Sequence, residues 1–165
     1  MYTMEDVEYK YKVSDRPRSK VLKGKKYELV LWVAFKELEL GLEVVYHPYG
    51  CNGRIDFKWD SIGAELEAKR LVDTEYCDCA WIKEQIIDRF TDKNVKFRVA
   101  VITERKWGKK ENDYLDANGI FVIETGQICT KRQQKRAMNE FKNGIADLII
   151  EQRRIELEAF LECGG

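Results

Sequence analysis

The stretch from residue 54 to residue 69 constrains this chain more than any other. Ile55, Phe57 and Trp59 alternate with Arg54, Asp56 and Lys58, and beyond Asp60 to Gly63 the residues Ala64, Leu66 and Ala68 alternate with Glu65, Glu67 and Lys69. A strand sends successive side chains to opposite faces, so a period of two on both sides of a short turn predicts a β-hairpin with one apolar and one charged face. The apolar face requires a second layer to bury it.

The flanking sequence supplies that layer. From about Val21 to Leu40 the chain is rich in helix formers and nearly continuous in apolar residues, and Gly41 stands where a helix stop is expected. A short strand, Glu43 to Tyr46, and a Pro/Gly/Asn loop through Gly53 lead into the hairpin. After it come a helix from about Cys79 to Phe90, with Trp81, Ile82, Ile86, Ile87 and Phe90 turned inward, and the run Phe97 to Thr103, which reads as a buried central strand. A helix around Glu111 to Ala117, the stop pair Asn118-Gly119 and a strand Ile120 to Ile123 make a βαβ unit with that run. Thr130 and Gln133 form a capping box that opens a last helix, running to about Leu161 with a break near Asn143-Gly144.

With 165 residues and 44% hydrophobic content, one globular domain is expected. The formal net charge is zero, but its distribution is uneven: Lys10, Lys12, Arg16, Arg18, Lys20, Lys23, Lys25 and Lys26 are opposed by Asp15 alone, and Lys131, Arg132, Lys135, Arg136 and Lys142 form a second basic cluster. Val7, Tyr9, Tyr11 and Val13 alternate with Glu8, Lys10 and Lys12 as in a half-buried strand or extended arm, which Ser14 to Pro17 interrupts. No apolar run is long enough for a bilayer and no signal-peptide pattern opens the chain, so a cytoplasmic protein without membrane contact is expected. Five cysteines at irregular spacing, with no CxxC pair, argue against a disulfide framework and a zinc ribbon; Cys77 and Cys79 are read as ordinary thiols.

The hairpin carries the chemistry. Alternation places Asp56 on the charged face of one strand and Glu67 and Lys69 on the charged face of the next. Two carboxylates and the carbonyl of Ala68 are the hard oxygen donors that Mg²⁺ prefers, and a neighbouring ammonium suits the positioning of an attacking water. Glu28 looks out of place: it lies three, four and seven residues before Leu31, Trp32 and Phe35 and extends an apolar helical stripe, where an unpaired carboxylate is costly. A metal-bound water or the Lys69 ammonium is the expected compensation, with Gly24 leaving room for close approach.

The segments Gly24-Lys25-Lys26-Tyr27-Glu28, then Gly53-Arg-Ile-Asp56-Phe and Glu65-Leu-Glu67-Ala-Lys69 resemble the PD-(D/E)xK nuclease superfamily, and in layout the archaeal Holliday-junction resolvases and their restriction-endonuclease-like relatives. The resemblance covers about Val21 to Thr103 and departs at Ile55, where the family motif has proline. It implies an α/β fold with an αβββαβ core (about residues 21–103), a mixed sheet with helices on both faces, a basic arm over residues 1–20 and added C-terminal βα elements over residues 104–165. It implies Asp56 and Glu67 as metal ligands, Lys69 as the residue assisting the water, and Glu28 supporting the site. Gln85 on the following helix is the candidate phosphate contact, alongside Lys83 and Arg89 on the same helix.

The expected activity is hydrolysis of DNA phosphodiesters with Mg²⁺ (or Mn²⁺). Metal would be held by Asp56, Glu67, the Ala68 carbonyl and Glu28, and DNA, branched or duplex, contacted by Arg16, Arg18, Lys131 and Arg132. Cutting two strands needs two sites, hence an expected homodimer, with Ile149, Ile150, Ile155 and Leu157 of the last helix as its interface. The rival readings are a non-catalytic nucleic-acid-binding or assembly module on the same fold, an enzyme acting on RNA or a small phosphodiester, and a hairpin whose charged face merely carries cross-strand ion pairs. His47 is read as a satisfied loop histidine rather than a general base.

Overall fold

The computed structural model describes residues 20–40, 43–47, 55–71, 78–103 and 108–164. The expected N-terminal arm with Arg16 and Arg18, the loop carrying Cys51, and Cys77 lie outside the described residues.

The described elements run α1 (Lys20–Glu37), β1 (Val44–Tyr46), β2 (Phe57–Trp59), β3 (Ala64–Arg70), α2 (Cys79–Gln85), β4 (Phe97–Thr103), α3 (Lys109–Ala117), β5 (Ile120–Thr125) and α4 (Lys131–Glu162). The five strands form one mixed sheet in the order β1-β2-β3-β4-β5; the first two pairings are antiparallel and the last two parallel. The hairpin expected from alternation is β2–β3, with Phe57 opposite Leu66 and Lys58 opposite Glu65. Its connection is a single 3₁₀ turn, Asp60–Ile62, closed by Gly63 at φ 67°, a left-handed position that glycine takes without strain.

Helices cover both faces. On one, Phe57, Trp59, Leu66, Val99, Val101 and Ile123 meet Tyr27, Leu31 and Phe35 of α1 and Phe141, Ile145 and Leu148 of α4. Aromatic rings carry much of this contact: Phe35 lies 5.3 Å from Phe57 and 5.0 Å from Phe141, centroid to centroid. On the other face Ala100 and Ile102 pack with Ile82 and Ile86 of the α2 region and Leu115 of α3. Residues 99–102 of β4 thus feed two cores alternately, which is why the central strand reads as an unbroken apolar run.

Two expectations are corrected. The helix expected over Cys79 to Phe90 is α helical only to Gln85; Asp78 caps it by accepting from the Trp81 N–H at 2.9 Å, and after Ile86 the chain tightens into a 3₁₀ turn, Ile87–Arg89. Ile86 at φ −123° breaks the α path and still stays buried. The break expected near Asn143-Gly144 does not occur, and α4 is continuous. Gly144 is there for packing: a Cβ at this position would stand 2.6 Å from the Ile123 side chain, so its absence lets α4 settle on β5. Thr130 and Gln133 do form the capping box, at 3.1 and 3.0 Å.

Candidate active site

The charged face of the hairpin converges where β2 and β3 part. Extending the pairing by one residue sets Asp56 opposite Glu67, but at Asp56 the backbone bends out of the ladder. The side chain replaces the backbone acceptor: Asp56 Oδ2 accepts the Ala68 N–H at 2.8 Å. A residue's N–H and C=O leave a strand on the same side, so the Ala68 carbonyl also points to this edge. His47 fixes the bend, its N–H donating to the Asp56 carbonyl and its Nδ1 meeting the Ile55 carbonyl, both at 2.8 Å. It acts as the satisfied loop histidine of the sequence reading.

Three carboxyls from three elements are buried together. Glu28, Asp56 and Glu67 expose 7%, 8% and 4% of their surface, and Glu28 and Asp56 share a hydrogen bond. Burial, then the charge and hydrogen bond of Asp56, push Glu28 up to about 9, so Glu28 keeps its proton near neutrality and is the donor in that bond. Glu67 is pushed up to about 7 by burial and by Asp56, against the pull of Lys69 and Arg89. Asp56 is also raised by burial, while the Ala68 N–H, Glu28, Lys69 and Lys25 draw it back. Glu28 Oε1 and Glu67 Oε2 are buried without a hydrogen-bond partner.

The compensation of Glu28 differs from expectation. The ammonium beside it is that of Lys25, 3.6 Å from Oε1, whereas Lys69 Nζ stands 3.4 Å from Glu67 Oε1. Gly24 does not serve close approach, since a Cβ there would meet nothing within 4 Å. On the helix after β3, Gln85 is half-buried in the last turn of α2, but the residue of this region that acts on Glu67, after Lys69, is Arg89, presented by the 3₁₀ turn. Lys83 is committed to Asp88 at 2.9 Å. Lys25 is the side chain that the sequence did not single out as a member of the site, although its place one turn before Glu28 was a signal. Arg89 was named beside Gln85 and Lys83, but that it rather than Gln85 acts on Glu67 had little signal, because its direction depends on the change from α to 3₁₀ helix.

Glu65 lies on the same strand face, buried, opposite Lys58 and beside Arg98 of β4. Burial and then Asp92 raise its pKa. Lys131 and Arg132 are exposed in the first turn of α4. That turn lies at the edge where the parallel strands β3, β4 and β5 end, and Arg70 Nη2 reaches Cys129 Sγ at 3.5 Å across it. Cys79, Cys129 and Cys163 are free thiols. No group of three or more His, Cys, Asp or Glu is disposed to hold a metal ion among the described residues. Nor is any helix there long and apolar enough to cross a membrane.

Set against models of protein families, curated proteins and solved structures, the chain matches none of them.

Proposed function

We propose that this protein is a Mg²⁺- or Mn²⁺-dependent endonuclease of the PD-(D/E)xK type that hydrolyses DNA phosphodiesters. One observation carries the reading: three carboxyls are buried together against two ammonium groups, with Glu28 Oε1 and Glu67 Oε2 left without a hydrogen-bond partner. Burying acids is costly, and here three from three separate elements share one cluster and leave two of their oxygens open. Perturbed carboxyls gathered in this way are the mark of a functional site. The order α, three strands, α, strand supports the same superfamily.

The donor set suits a hard cation that keeps much of its water shell. Asp56, Glu67 and the Ala68 carbonyl would hold it, with Glu28 reaching it through its waters; fewer protein donors than a closed cage are needed for Mg²⁺. Bound there, the cation supplies an activated water and offsets the charge gathering on phosphorus. Lys69, drawn to Glu67, orients the nucleophile, and Lys25 and Arg89 add positive charge beside the carboxyls. The basic turn of α4 at Lys131 and Arg132, on the strand-end edge, favours a polymeric phosphodiester over a small one.

The test is cleavage of four-way junction, flap, single-stranded and linear duplex DNA, and of RNA, by wild type and Glu67→Ala with Mg²⁺. Metal-dependent cutting lost in the variant is the expected result. DNA binding without cutting at any divalent metal would instead make the protein a non-catalytic module, and equal activity in the variant would remove Glu67 from the mechanism.

A further inference from the structure

A second feature lies outside the carboxyl cluster. α4 has 32 residues, about 48 Å of helix, and the body uses only part of it. Gln134, Ala137, Met138, Phe141, Ile145 and Leu148 line the buried side, but every residue from Arg153 to Gly164 is exposed. Ile150, Leu157 and Leu161 are 64%, 58% and 61% exposed. At about 3.6 residues per turn they fall on the side of the helix opposite Phe141, Ile145 and Leu148. Ile149 packs against the core, and Ile155 continues the core-facing line, so neither belongs to this outer row.

The spacing of the row is specific. Ile150, Arg154, Leu157 and Leu161 are separated by four, three and four residues, the d-a-d-a pattern of a coiled-coil seam. Arg154 interrupts it, yet its guanidinium is clasped by Glu151 and Glu158 of its own helix, which leaves its methylene stem along the seam.

We propose that this distal half of α4 pairs with the same segment of a second copy of the chain, parallel and in register. Charge selects the occupant and its direction. Arg153 and Glu158 flank the seam on opposite sides, five residues apart, so parallel pairing brings Arg153 of each chain to Glu158 of the other, twice by symmetry. Antiparallel pairing along the same row sets Glu151 against Glu158 instead and gives Arg153 no acid. A lipid surface is disfavoured, because Glu151, Glu156, Glu158 and Glu162 outnumber Arg153 and Arg154 here. The seam lies on the side of α4 opposite the core-facing Phe141, Ile145 and Leu148, so each body falls on the outer side of the helix pair.

Sedimentation equilibrium of the full chain at micromolar concentration tests this without reference to nuclease activity. The wild type is expected to be a dimer. Leu157→Lys combined with Leu161→Lys is expected to be a monomer with an unchanged circular dichroism spectrum, since both side chains are exposed, and with a melting temperature that no longer depends on protein concentration. Arg153→Glu should weaken the dimer severalfold, and adding Glu158→Arg should restore it. A monomeric wild type, or a dimer that survives the double lysine substitution, would overturn the proposal. Failure of the charge swap to restore pairing would overturn the parallel arrangement.

Discussion

The two faces of the β2–β3 hairpin are built from the same two strands and are both buried, yet they are buried in different ways. On one, Phe57, Trp59 and Leu66 are enclosed by rings and aliphatic side chains of α1, each exposing 1% or less. On the other, Asp56 and Glu67 are nearly as enclosed, but their carboxyls are pushed up by that burial and one oxygen of Glu67 has no partner. The apolar face gains free energy by leaving water and the charged face loses it. A fold keeps an arrangement of the second kind when something other than stability depends on it.

This contrast is testable. The largest effect is expected on catalysis: Glu67→Ala or Lys69→Ala should lower metal-dependent DNA cleavage by about a thousandfold, while the melting temperature in the absence of metal holds or rises. A melting temperature that collapses with the activity would make the charged face a structural network. On the opposite face Phe57→Ala should cost about 3–5 kcal/mol in denaturant unfolding, because its ring packs at 4.9 Å from Tyr46 as well as on Phe35.

Acidity provides a third route. Glu28 and Glu67 bind protons more tightly in the folded state than their ordinary value of 4.5, so the folded chain carries more protons than the unfolded one above that pH. Their contribution to stability is therefore complete below pH 4.5 and is lost as pH rises through about 7 for Glu67 and about 9 for Glu28. Thermal melts of metal-free protein should show that decline, and Glu28→Gln should remove its upper part. Added Mg²⁺ or Mn²⁺ should reverse it through binding to the folded state. A flat profile in wild type would mean the carboxyls are not paired as described.

Smaller effects sharpen the packing side. Gly144→Ala places a methyl against Ile123 and should cost about 1–3 kcal/mol, less the helix preference of alanine; combined with Ile123→Ala, the loss should be smaller than the sum of the two. Least of all, Lys109→Ala, which removes an exposed ion pair with Asp113, should leave the melting temperature unchanged. A large shift there would show that exposed charge pairs hold this fold as the buried face does.

Much of the architecture was legible beforehand because it rests on short-range periods. The limits of β4 match the apolar run Phe97 to Thr103, and the capping box at Thr130 marks the start of α4. What was missed depends on packing. Asn143-Gly144 has the composition of a helix break, but the space that selects glycine is made by Ile123 of β5, more than twenty residues away. The turn after Gln85 follows from keeping Ile86 and Phe90 buried while the backbone changes helix type, which a wheel drawn on residues 79–90 does not contain.

The hairpin itself divides along the same line. Sequence alone determined that Asp56, Glu67 and Lys69 share a face, because strand alternation is a property of neighbouring residues. It also marked Glu28 as a carboxyl on an apolar stripe. Only the tertiary structure decided what Glu28 meets, namely Asp56 and Lys25, and brought Arg89 to bear on Glu67. Those contacts join a helix, a strand end and a 3₁₀ turn, and their distances are set by how the layers pack rather than by any local period.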